Sequence, residues 1–189
     1  MMDPKDIAEF RSRAMTPDAP ILRGTSQNPD VHFQARETVN NYYTACPAIV
    51  QAKMDQFAKI SGRQYQLVDY KGAADAETVV VLMGSATQTV EATVVNMNKN
   101  GSKVGMINLH LYRPFPNEAF LNAIPASAKN VIVLDRCKEP GATGEPLYLD
   151  VVTAIAEAGR SYKILGGRYG ISSKEFTPAM VKAVFENLT

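Results

Sequence analysis

The densest group of ionisable side chains is Asp135-Arg136-Cys137-Lys138-Glu139, directly after the apolar run Val131 to Leu134. Carboxylates beside a guanidinium can do acid-base work. With no histidine or nucleophile evident beside them, the same charges are better suited to a local ion-pair network or a subunit contact. Cys137 sits between two cations that would favour its thiolate, a slender basis for a reactive thiol. Gly84-Ser85 can offer helix amides to a phosphate, or simply turn the chain and cap a helix; the Lys of a P-loop is missing. Gly166-Gly167-Arg168-Tyr169-Gly170 is glycine-rich like a nucleotide loop but lacks the GxGxxG spacing, which favours a structural turn. Arg113, before Pro114, can clamp a carboxylate or dock a neighbouring domain. His110 falls inside a strand pattern and reads as a packed or sheet-face histidine.

Around these groups the catalytic inventory is thin. There are 2 His and no Trp, and neither HExxH nor GxSxG occurs. Cys46 and Cys137 are the 2 cysteines and form no CxxC, so no catalytic residue, metal site or iron–sulfur cluster is assigned to this chain. Two thiols in 189 residues fit a reducing compartment. Lys and Arg number 20 against 19 Asp and Glu, for a net charge of +1. No broad basic field exists for nucleic acid or a membrane surface. No apolar run approaches the roughly 20 residues of a membrane span, and no signal-peptide core follows Met1.

The elements that must position these loops follow a β-α alternation from about Thr78 onward, the pattern of a three-layer αβα, doubly wound, mostly parallel sheet. Thr78 to Met83 (TVVVLM) reads as a strand buried on both faces. Ser85 is expected to cap a helix with Ala86, Val90, Val94 and Met97 inward, stopped by Gly101. Further strands are expected over Val104 to Tyr112, Val131 to Leu134 and Tyr162 to Leu165. Asn117-Glu118 opens a short helix carrying Phe120, Leu121 and Ile124. Pro146 starts a helix whose stripe is Leu149, Val152, Ile155 and Ala156. Thr177-Pro178 caps and starts the last helix, with Val181, Val184, Phe185 and Leu188 inward. Ligands of such sheets bind at the carboxyl ends of the strands, where the polar loops above lie.

The division expected is an N-terminal helical arm and linker over 1–62 and an α/β core domain over 63–189. In the arm, Asp3-Pro4 starts a helix with Ile7, Phe10 and Ala14 on one side. Thr16 to Asp30 reads as a long irregular stretch. A helix from Ala48 to Ile60 carries Val50, Met54 and Phe57 inward and leads to an edge strand at Arg63 to Asp69.

Several segments are distinctive enough to compare with known families: RGTSQNPD (Arg23 to Asp30), ETVNNYY (Glu37 to Tyr43), MGS (Met83 to Ser85), LYRPFPNEAF (Leu111 to Phe120), LDRCKEPGATGEPLYLDV (Leu134 to Val151) and GGRYGISSKEFTPAMV (Gly166 to Val181). In order and spacing the chain resembles pyruvate:ferredoxin (flavodoxin) oxidoreductase, also called pyruvate synthase. The resemblance covers the tail of that enzyme's first domain and its second core domain, which is similar to the C-terminal domain of transketolase.

What the resemblance implies is a parent enzyme of anaerobic metabolism that oxidatively decarboxylates pyruvate to acetyl-CoA. It would use thiamine diphosphate, Mg²⁺, iron–sulfur clusters and coenzyme A, and pass electrons to ferredoxin or flavodoxin. This chain would then be a non-catalytic domain fragment, inactive alone, whose partners are the other domains of a homodimeric parent. Its expected location is the cytoplasm, or a hydrogenosome-like organelle in a protist. A separately encoded subunit is the weaker reading, since the N-terminal stretch matches the middle of a fused polypeptide. Arg23, Asn28, Asp30, Arg113, Arg136, Glu139 and Arg168 become interface candidates. Cys137 stands where Thr is expected in many relatives, which speaks against a catalytic thiol. The alternative is a small-molecule module that holds coenzyme A or a nucleotide with Gly84, Ser85 and the 166–170 glycines.

Overall fold

A strand covered on both faces needs no polar alternation, and in the computed structural model Val79, Val80, Val81 and Leu82 have no exposed surface. The structure describes every residue except Met1, Leu22, Arg23, Thr25 and Thr189. Five strands form one sheet among the described residues: β1 (Val68–Gly72), β2 (Thr78–Met83), β3 (Val104–Leu109), β4 (Asn130–Asp135) and β5 (Lys163–Arg168), in the order β1-β3-β2-β4-β5. β1 pairs antiparallel with β3 and the other pairings are parallel; Val80 stands opposite Met106 on one side and Ile132 on the other.

The helices divide between the two faces as period-2 burial in the strands requires. Val80, Leu82, Met106, Ile132 and Leu134 pack with α4 (Thr87–Lys99) and α7 (Pro178–Glu186). Val79, Val81, Ile107, Val131 and Val133 pack with α5 (Asn117–Ala123) and α6 (Pro146–Glu157). This is the expected three-layer, doubly wound arrangement. The chain leaves β2 through α4 towards β3 on one side, and leaves β4 through α6 towards β5 on the other. The direction of winding reverses between β2 and β4, opening a crevice at their carboxyl ends.

Chain contacts separate Met1–Asn41 from Tyr42–Thr189. The first unit holds α1 (Pro4–Ser12) and α2 (Pro29–Thr38), neither with a buried residue. Asp3 caps α1 as expected, accepting the Lys5 amide at 2.8 Å, but Phe10 is 72% exposed and Ala14 lies beyond the helix. α2 cuts short the irregular stretch, because Asn28 accepts the Val31 amide at 3.0 Å and Pro29 suits a first turn.

The helix expected from Ala48 is longer: α3 runs Asn40–Ser61 through Pro47. Phe57, expected inward, is 40% exposed and stacks on Tyr65. The edge strand is Val68–Gly72 rather than Arg63 to Asp69, fixed by pairing of Val68 with Leu109 and Gly72 with Gly105. β3 stops at Leu109. The buried positions of α6 are Leu147, Val151, Ala154 and Ile155, while Leu149 and Ala156 are exposed, so the helix is rotated from the expected stripe. Thr177 caps α7 as expected, accepting the Met180 amide, with Val181 and Phe185 buried.

Candidate functional site

The crevice at the switch point is a cavity of about 310 Å³. Met83, Gly84 and Ser85 from the end of β2 form one wall; Asp135, Arg136 and Cys137 from the end of β4 form another, with Tyr112, Pro146 and Tyr169 closing it. Gly84 has φ +81°, which an L side chain resists, and its carbonyl accepts both the Thr87 amide and the Thr87 hydroxyl. The start of α4 is thus tied down by Thr87. Ser85 does not cap the helix: the N-cap is Ala86, with no side-chain hydrogen bond, because the turn at Gly84 carries the chain one residue further before it coils.

The second wall is fixed by Asp135, whose carboxylate is buried at the last position of β4. Its Oδ1 accepts the Leu147 amide at 2.9 Å and its Oδ2 the Tyr148 amide at 3.1 Å, so a residue from the preceding strand occupies the N-terminus of α6. Burial pushes the Asp135 carboxyl up; the two amides oppose that shift and the charges of Glu145 and Asp150 add to it. The position where a helix would hold an incoming anion is already filled by this chain.

Residues of the 135–139 cluster are tied to Gly170 and to Glu145, and through Glu145 to Arg168. Arg136 donates from Nε to the Gly170 carbonyl at 3.0 Å. Glu145, with only 8% of its side chain exposed, accepts the Glu139 amide at 3.3 Å, lies 3.3 Å from Arg168 Nη1 and 3.6 Å from Lys138 Nζ. Burial works to raise the Glu145 pKa, but the Glu139 amide, Arg168 and Lys138 outweigh it and hold the carboxyl below its ordinary value. The network reading of this cluster is what the geometry supports, with Glu145 as its centre.

Arg113 is exposed, lies with Cζ 4.3 Å from the centre of the Tyr112 ring, and approaches Asp150 Oδ2 to 2.7 Å. Burial first, then the hydrogen bond and charge of Asp150, push the Tyr112 hydroxyl up to about 12. Tyr169 donates its hydroxyl to the Met83 carbonyl at 3.2 Å, bridging the ends of β5 and β2. Burial pushes the Cys137 thiol up, and Asp135, Glu139 and Glu145 push it further. The cations on either side in sequence do not give an activated thiolate. Tyr112, Tyr169 and Cys137 thus present neutral groups to the crevice, beside Asp135 and Arg136, which are held by backbone partners.

Of the sequence candidates, Gly84, Ser85 and Arg136 meet at the crevice, and Glu139 joins Arg168 through Glu145. Arg113 stands apart with Asp150. Asn28 and Asp30 start α2 in the first unit, and Arg23 lies outside the described residues. Gly166 and Gly167 are not a loop: they lie in β5, paired with Val133 and Leu134. A Cβ on Gly166 would meet the Tyr148 ring at 3.0 Å and one on Gly167 would meet Leu134 Cδ2 at 2.8 Å, so glycine is there for close packing. His110 lies past the end of β3, exposed, with Nε2 2.9 Å from Asp69 Oδ2. The sequence reading missed Glu145 and Asp150; only a β4–α6 pairing pattern could have indicated them.

Comparison with known proteins agrees with this architecture. The chain is 61% identical over 185 residues to the pyruvate-flavodoxin oxidoreductase of Trichormus variabilis, covering 96% of this chain and 16% of that protein. It is 54% identical over 188 residues to the pyruvate:ferredoxin oxidoreductase of Moorella thermoacetica, covering 100% of this chain and again 16% of the relative. The chain thus spans about 16% of the length of these curated relatives. Among solved structures, a 2-oxoglutarate:ferredoxin oxidoreductase from Magnetococcus marinus superposes with a TM-score of 0.52 over 92% of this chain and 28% of that one. At 20% identity that likeness speaks for the fold. The family model for pyruvate:ferredoxin oxidoreductase core domain II matches residues 76–181, more than half of the sequence and all of the sheet from β2 onward, and the chain belongs to that family.

Proposed function

We propose that this chain serves as a non-catalytic core domain of a longer polypeptide that oxidatively decarboxylates pyruvate to acetyl-CoA and passes the electrons to ferredoxin or flavodoxin. The observation that carries the reading is the 61% identity to a pyruvate-flavodoxin oxidoreductase across 96% of the chain. At the crevice, Asp135 is held by the α6 amides and Glu145 by Arg168, which fits residues that keep the strand ends in shape.

In such a parent, thiamine diphosphate with Mg²⁺ carries the decarboxylation, iron–sulfur clusters carry the electrons and coenzyme A takes the acetyl group. The donor set of this chain does not fit the clusters or thiamine diphosphate with Mg²⁺: Cys46 and Cys137 are fewer than a cluster needs, and no GDG-type thiamine motif occurs. Other domains supply those sites, and the parent is read as a homodimer. The role left to Arg113, Arg136, Glu139 and Arg168 is to hold the strand-end surface in shape where neighbouring domains meet it. The small-molecule alternative has less support, because Gly166 and Gly167 are strand residues paired with Val133 and Leu134 rather than a loop open to a ligand.

The experiment is to read the open frame on both sides of this sequence in its source and weigh the native product. A long frame with a GDG-type motif and cluster-binding cysteines, and one polypeptide of matching mass, is expected. A native product of about this chain's own mass, 20.6 kDa, overturns the reading.

A further inference from the structure

Helix α3 uses two faces differently. One face, through Pro47, Val50, Met54, Ala58 and Ser61, is partly buried. Gln51 anchors it: Nε2 donates to the Tyr65 carbonyl at 3.2 Å and Oε1 accepts the Leu67 amide at 3.1 Å. At about 100° per residue, Tyr42, Ile49 and Ile60 fall within about 20° of one another on the opposite face. Their exposures are 78%, 58% and 80%. Ala45, Ala52 and Gln56 lie beside them and are also exposed. Two exposed lysines flank this stripe, Lys59 beside Ala52 and Lys53 beside Ile60, the latter donating to Gln56 Oε1 at 3.2 Å.

Single exposed apolar residues are ordinary, but three in line with two alanines are not. Tyr42 to Ile60 spans about 27 Å at 1.5 Å per residue. Tyr42, Ala45, Ile49 and Ala52 repeat at i, i+3, i+7 and i+10, the spacing with which one helix receives another.

We propose that this outer face of α3 is the docking surface for another domain of the longer polypeptide, and that its occupant there is a helix. The proposal rests on the reading above. Relatives retain this chain over 96–100% of its length, α3 included, while it makes up only 16% of theirs. Most of the surface available to α3 is therefore tethered to it, at an effective concentration a second copy does not match.

The test places the photo-crosslinking residue benzoylphenylalanine at Ile49 in the longer polypeptide and maps the products by mass spectrometry. Crosslinks to a segment outside 1–189, without doubling of the polypeptide mass, are expected. Crosslinks to a second copy, crosslinks confined to 1–189, or none at all overturn the proposal. In parallel, Ile49→Asp should leave the unfolding midpoint of chain 1–189 unchanged and lower that of the longer polypeptide by several degrees; equal midpoints in both contexts contradict it. Failure of these tests in a polypeptide that still oxidises pyruvate removes the docking surface alone. Absence of any longer polypeptide removes the reading beneath it.

Discussion

Asp135 at the end of β4 receives the Leu147 amide at the start of α6 at 2.9 Å, joining two elements separated by residues 136–145 through one carboxylate oxygen. This contact sets where α6 begins and how it is turned, and its second oxygen takes the Tyr148 amide. Asp135→Ala leaves both amides without this partner. The variant is expected to lose about 2 kcal/mol of stability, the loss of a helix cap in a buried setting. Urea unfolding at pH 7 checks it, and an unchanged midpoint would show that the cap is dispensable.

The same carboxyl gives a pH signature. Burial raises its pKa above 3.8, so the native state binds this proton more tightly than the unfolded chain. Its contribution to stability therefore falls as pH rises from about 3.8 through the folded pKa, then stays level. Asp135→Asn should remove that portion of the pH profile. Glu145 has the opposite sign: its pKa is held below 4.5, so its contribution is present above that value and is lost as pH falls through the folded pKa. The gap between wild type and Glu145→Gln should accordingly narrow in acid, as measured by unfolding midpoints from pH 7 to pH 3.

How much of this was legible in the sequence depends on where each residue's partner lies. β2 was readable to the residue because a run of Val and Leu between turn signals has one use, and Thr177-Pro178 is a cap and first turn in adjacent positions. Asn28-Pro29 carried the same kind of signal for α2, hidden inside a stretch rich in Pro and Gly. The rotation of α6 was not legible, since it is set by Asp135 from another element. At the site, the 135–139 cluster was visible as charge, but Glu145 and Asp150, which pair with Arg168 and Arg113, are brought there only by the sheet order.

Gly105 tests the packing account of the glycines. A Cβ there would lie 2.7 Å from Cε2 and Cζ of Tyr70, whose strand is hydrogen-bonded to its own. Gly105→Ala is expected to cost about 1–3 kcal/mol, the usual range for overpacking a core. Gly166→Ala should also destabilise. Neither variant should alter calorimetric titration with coenzyme A, for which no binding at millimolar or tighter affinity is expected; saturable heat abolished by Gly166→Ala would restore the small-molecule reading.

Cys137 is expected to behave as an ordinary, sluggish thiol. Burial and three carboxylates raise its pKa, so in a Cys46→Ser background iodoacetamide should modify it more slowly at pH 7.5 than it modifies glutathione. Glu145→Gln removes one of those charges and should speed the reaction. A rate above that of glutathione would point to an activated thiol.

In the proposed role, this domain supports a reaction whose working groups lie elsewhere in a longer chain. The direct measurement is a paired assay of pyruvate oxidation, with thiamine diphosphate, Mg²⁺, coenzyme A and viologen supplied, on purified chain 1–189 and on the longer polypeptide carrying this sequence. The expected result is acetyl-CoA formation by the longer polypeptide and none above background by the isolated chain. Turnover by chain 1–189 alone, or a longer polypeptide that leaves pyruvate untouched, would contradict the account.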